Sequence, residues 1–154
     1  MHSYSRPLFA LLFIVALAAA PPAQAQRAPG AAGLGVHLGE PSGITAKIYN
    51  PNRASYDILA AWSLYENFFF LNGHALFEHP LSAQNVEQPL QWYIGPGAYL
   101  SVSNKAGFGV SGTIGVDILL ADHFEIYLQA TPRFELVGET KPYLGGGLGL
   151  RYYF

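Results

Sequence analysis

Over most of its length the chain alternates, residue by residue, between large apolar side chains and small or polar ones, and the alternation stops only at short turn-forming stretches. A period of two describes a strand with two unlike faces, whereas an amphipathic helix repeats about every 3.6 residues. Leu34, Val36 and Leu38 oppose Gly33, Gly35, His37 and Gly39; after Glu40-Pro41-Ser42-Gly43, Ile44, Ala46 and Ile48 oppose Thr45, Lys47 and Tyr49. Beyond Asn50-Pro51-Asn52-Arg53, Tyr56, Ile58, Ala60, Trp62 and Leu64 oppose Ser55, Asp57, Leu59, Ala61 and Ser63, and a break at Glu66-Asn67 opens a fourth segment, Phe68 to Glu78. A loop from His79 to Pro89 precedes Leu90–Leu100, the turn Ser103-Asn104-Lys105 precedes Val110–Ile118, and Ala121-Asp122 precedes Phe124–Ala130. Glu139-Thr140-Lys141-Pro142 then leads into a closing strand, Leu144–Phe154.

Eight such segments leave no room for crossover helices, so they predict an up-and-down antiparallel sheet, and closure removes its edges. Which side is greasy decides the solvent. A small soluble barrel keeps its apolar rows inside and charge outside; a membrane barrel has the reverse arrangement. Only 12% of the 154 residues are charged, against 51% hydrophobic, and the non-apolar rows are crowded with Gly, Ser and Thr. Lys47, Asp57, Glu78, Asp117, Glu125, Arg133, Glu135 and Arg151 carry both signs on those rows. Such rows make a poor solvent face but fill a narrow lumen, where small residues leave room and opposite charges pair. The apolar rows, with Trp62, Phe69, Trp92, Phe124, Tyr152 and Phe154, then face lipid, and several aromatics fall near strand ends where an interfacial girdle belongs. The expectation is an all-β, eight-stranded antiparallel transmembrane β-barrel over residues 33–154. Its second strand is short, and Pro96 is expected to mark a bulge or one end of a ladder.

The first residues read differently. A polar stretch with Arg6 precedes the apolar run Leu8–Ala20, which Pro21-Pro22 stops short of the roughly 20 residues a spanning helix needs. Ala23-Gln24-Ala25 supplies a small-x-small cleavage pattern, so 1–25 reads as a cleavable signal peptide, 26–32 as a flexible lead-in, and Gln26 as the mature start. An uncleaved N-terminal anchor helix is the competing interpretation. With no Cys, disulfides and thiolate-bound metals are excluded, and 8 Lys+Arg against 10 Asp+Glu supply no field for nucleic acid.

The C-terminus, Gly145-Gly146-Gly147-Leu148-Gly149-Leu150-Arg151-Tyr152-Tyr153-Phe154, resembles that of small bacterial outer-membrane β-barrel proteins, and the likeness covers nearly all of the mature chain. The segment Gly35–Gly43 with its Glu-Pro-Ser-Gly turn resembles the first hairpin of one branch of that group. The resemblance implies export, outer-membrane lipid as surroundings, and recognition of Leu150, Tyr152 and Phe154 by the barrel-assembly machinery. One departure is that the longest connection, His79–Pro89, falls on the periplasmic side when the N-terminus lies there.

No compact motif for chemistry emerges. His37, His74, His79 and His123 fit no metal-ligand spacing, and Gly145–Gly149 lies within a strand rather than at a strand-to-helix turn, so it forms no phosphate loop. No catalytic, cofactor or metal residue is therefore assigned. The expected function is that of a non-enzymatic barrel with a structural, adhesive or small-solute role and no general pore, because eight strands enclose a space that side chains fill. A soluble lipocalin-like binding barrel, with its greasy rows inside, is the first alternative. A barrel-embedded lipid hydrolase is the second, with Ser63, His74 and Glu78 as its candidates in chain order.

Overall fold

The computed structural model describes residues 27–63, 67–82, 84 and 88–154; the leader read at 1–25 lies outside them. The fold is all-β: β1 (Ala32–Glu40), β2 (Gly43–Ile48), β3 (Ser55–Ser63), β4 (Phe68–Leu81), β5 (Leu90–Val102), β6 (Ala106–Leu120), β7 (Phe124–Val137) and β8 (Pro142–Tyr153). Every strand pairs antiparallel with its chain neighbour, and β1 pairs with β8 from Gly33↔Tyr153 to Glu40↔Gly146, which closes the barrel in strand order. The eight-stranded count read from the alternation therefore holds. Residues 27–31, the strand ends Leu81 and Leu90, and Phe154 share one end, here the terminal end; at the opposite, distal end two to four residues separate successive strands.

The faces sort as the alternation requires. Leu34, Val36, Ile58, Ile94, Ile114, Leu128 and Leu148 point outward and are exposed, while Lys47, Asp57, Asp117, Glu125 and Arg151 are buried inside. The outer wall is banded. Phe124, Tyr152 and Phe154 make edge-to-face contacts at the terminal end, with Trp92 stacked on His79. At the distal end Trp62, Phe69, Phe108 and Phe134 are exposed, with aliphatic side chains between the two bands. Stripped of any covering, this surface would expose far more contiguous apolar area than a soluble monomer tolerates.

Glycines on the inner rows make space for rings. Tyr127 pairs with Gly149, Tyr93 with Gly115, Tyr99 with Gly109 and Tyr153 with Gly33. A Cβ at Gly149 would lie 2.1 Å from the Tyr127 ring, and one at Gly115 2.5 Å from Tyr93. Each tyrosine thus lies flat over the bare backbone opposite it, which lets a narrow barrel hold large side chains. Pro96 sits in the middle of β5, opposite Gly112. It leaves the β5–β6 ladder continuous, and the β4–β5 pairing is interrupted between His74↔Gly97 and Phe77↔Ile94, as a residue without an N–H requires.

Candidate functional site

Six of the eight charged residues expected in the lumen meet in its terminal half. Lys47 Nζ, from β2, lies 2.5 Å from Glu78 Oε1 on β4 and 3.3 Å from both Asp117 Oδ2 on β6 and Glu125 Oε2 on β7. Arg151, from β8, donates to Glu125 Oε1 at 2.6 Å, to Asp57 Oδ2 at 3.3 Å and to Thr45 Oγ1 at 2.9 Å, with its guanidinium 3.9 Å from the Tyr127 ring centre. Tyr153 donates to Glu125 Oε2 at 2.8 Å. Nearly complete burial makes any one of these charges costly alone, and the pairing is what makes the set tolerable.

Two members of this cluster were not anticipated. Arg27, placed by sequence in the flexible lead-in, turns into the terminal mouth, where it donates to Asp117 Oδ1 at 2.8 Å and Gln91 Oε1 at 2.9 Å and pairs with Glu125. Its guanidinium stacks over Tyr49 and Tyr153, and hydrogen bonds between Gly30 and Tyr49 and between Tyr49 and Ala31 fix the backbone beside it. Burial alone would lower its pKa, but the Glu125 and Asp117 carboxylates outweigh that and hold it above the ordinary value. A lone basic residue before a strand carries no signal of this role, and the alternation puts Tyr153 on the inner row with Arg151 without giving it a partner.

The distal half is built differently. Arg133 and Glu135 do not join the network. Arg133 makes no ion pair among the described residues; it rests over the Phe70 and Tyr99 rings, and its one hydrogen bond runs to the Glu40 carbonyl at 3.5 Å. Glu135 accepts from the Glu139 backbone N–H at 3.2 Å. Alongside the charge cluster runs a second set of polar contacts. Asp57 Oδ1 accepts from His74 Nδ1 at 2.9 Å, and His74 Nε2 lies 3.2 Å from Ser111 Oγ, which is 2.8 Å from Asn72 Oδ1. His37 Nδ1 lies 2.8 Å from the Tyr127 hydroxyl.

The three residues weighed from sequence as a hydrolase set are not brought together. Glu78 is bound to Lys47, Ser63 is at the distal end of β3 opposite Phe68, and His74 faces Asp57 and Ser111 instead. His79 is exposed and stacked on Trp92, and His123 lies at a turn with Nδ1 3.0 Å from the Tyr153 carbonyl. No group of three or more His, Asp or Glu is placed to hold a metal ion among the described residues.

A cleft of about 220 Å³ opens at the distal mouth between Glu40, Phe68, Tyr99, Arg133, Glu135 and Tyr143. Beneath it, a void of about 10 Å³ reaches His37, Asn72, His74, Gln129 and Thr131, and Glu40, Pro41, Phe70 and Arg133 line both spaces. Comparison with known proteins adds no relative: no family model and no curated protein matches the chain.

Proposed function

We propose that the chain is an exported outer-membrane β-barrel protein that spans the bilayer as a sealed cylinder and does not act as a diffusion pore. The observation that carries this reading is the outer wall, an aliphatic belt bounded by aromatic bands at both ends, with the ionisable groups turned inward. Hydrocarbon accepts that surface, and closure leaves no unpaired sheet edge within it. A soluble lipocalin-like barrel needs the opposite arrangement. The lumen of the proposed barrel is crossed by Lys47 and Arg151, which join β2 and β8 to carboxylates on β3, β4, β6 and β7. Distal turns of two to four residues offer little surface for adhesion, so the reading favours a structural role over an adhesive one.

The resemblance of the closing strand to an assembly signal supports the same placement, with Leu150 and Phe154 on the exposed face and Tyr152 between the Phe124 and Phe154 rings. The test is refolding of the chain after its leader into vesicles of phosphatidylcholine with brominated acyl chains. Trp62 and Trp92 fluorescence is expected to be quenched, the unboiled protein to migrate faster than the boiled one, and planar bilayers to show no steady conductance. Quenching by aqueous iodide with none by the brominated chains would overturn the membrane assignment; sustained open-channel current would overturn the sealed lumen.

A further inference from the structure

We propose that Ser111, His74 and Asp57 form a nucleophile, base and orienting carboxylate that hydrolyse a short-chain carboxylic ester entering from the distal mouth. The set is a product of strand register. Asp57↔His74, His74↔Gly97, Gly97↔Ser111 and Ser111↔Arg133 are successive direct partners across β3 to β7, so these residues form a single rung of the barrel wall. Gly97 is what lets the rung close over β5: a Cβ there would lie 2.4 Å from His74 Cδ2 and 2.8 Å from Ser111 Oγ. Without a side chain at 97, the imidazole reaches past one strand to the hydroxyl on the next.

The order of contacts suits acyl transfer. Asp57 accepts the Nδ1 proton of His74, which fixes the tautomer and leaves Nε2 as the acceptor facing Ser111 Oγ at 3.2 Å. The second Asp57 oxygen is held by Arg151, so the carboxylate cannot turn away. Ser111 has one proton, which it gives to Asn72 Oδ1 in the geometry described; a half-turn of the Asn72 amide exchanges its oxygen for its nitrogen and frees that proton for His74. Asn72 and His74, the two partners of Ser111 Oγ, line the void together with Arg133, and the Asn72 amide and the Arg133 guanidinium offer N–H groups there to an oxyanion. The void of about 10 Å³ has room for one water molecule, and the cleft above it is walled by Phe68, Tyr99 and Tyr143, which suits a small acyl or alcohol group.

In the first half-reaction Ser111 Oγ bonds to the ester carbonyl carbon while its proton passes to His74 Nε2. The tetrahedral intermediate collapses, the bond to the alcohol oxygen breaks, and the alcohol leaves with the proton from His74. Water then adds to the acyl-serine, giving its proton to His74; collapse releases the carboxylic acid and returns a proton to Ser111 Oγ.

The experiment uses the chain refolded in detergent, with heat-modifiable migration as the measure of folding for each variant. A small fluorophosphonate is expected to modify Ser111, located by mass spectrometry of the intact barrel's peptides, and p-nitrophenyl butyrate to be hydrolysed. Ser111→Ala abolishes both, His74→Gln lowers the labelling rate by at least about 100-fold, and Ser63→Ala leaves both unchanged. A folded wild-type barrel without the Ser111 adduct overturns the proposal, as does equal labelling of folded His74→Gln.

Discussion

The two halves of the lumen solve the problem of buried polarity in opposite ways. In the terminal half, Arg27, Lys47 and Arg151 interleave with Asp57, Glu78, Asp117 and Glu125, and Glu125 alone meets all three cations. In the distal half, Asn72, His74 and Ser111 are linked by hydrogen bonds, His37 meets the Tyr127 hydroxyl, and the guanidinium of Arg133 has no ion pair among the described residues. The first arrangement sets both signs of charge against each other across the lumen and serves as a brace between strands. The second retains unused capacity beside open space, which a ligand or reacting group requires. Asp57 belongs to both, with one oxygen on Arg151 and the other on His74.

The largest effect is expected where the brace is removed at its centre. Glu125→Ala leaves three cations short of an anion and should cost about 3–5 kcal/mol, the penalty for breaking a buried pair on one side. Urea unfolding in lipid vesicles, followed by tryptophan fluorescence, measures it. Glu135→Ala in the distal half should change the same midpoint little, and equal losses would erase the distinction. A smaller cost, about 1–3 kcal/mol, is expected for Gly149→Ala, whose Cβ would collide with the Tyr127 ring. Gly112→Ala is the control, since its new Cβ would meet nothing nearer than 3.8 Å.

Arg27→Ala should destabilise by about 1–3 kcal/mol, because Asp117 and Glu125 lose one partner but keep Lys47. Proteolysis at the terminal end would report the same change as faster cleavage. The smallest effect is expected for Arg133→Gln, about 0.5–1 kcal/mol, which is the worth of its contacts with the Phe70 and Tyr99 rings. A loss as large as that of Glu125→Ala would show that the distal half is also a brace.

The period of two made the strand count and the inward or outward sense of nearly every side chain legible before any coordinates, because burial of a sheet face depends on parity alone. The membership of the charge cluster followed from that parity for Lys47, Asp57, Glu78, Asp117, Glu125 and Arg151. What parity cannot give is height along the barrel. Glu78 shares a face with His74 and lies four residues away on the same strand, yet that is about 13 Å of extended chain. Asp57 and Ser111 are distant in sequence but lie on one rung, with His74 and Gly97 between them. The turn at Ser103-Asn104-Lys105, reflected about Asn104, already pairs Gly97 with Ser111; the break read at Glu66-Asn67 would pair Asp57 with Leu76, two residues away from its actual partner. An error of two residues keeps every face correct and hides the site.

The seam between β1 and β8 has a kinetic consequence. Its partners, from Gly33↔Tyr153 to Glu40↔Gly146, are separated by nearly the whole chain, so this ladder contributes the longest-range contacts of the fold and cannot begin to form until the last strand has been made. Arg151 and Tyr153 arrive with that strand, and both bind Glu125. Until they do, β1 keeps an unpaired edge and Glu125 lacks two of its partners.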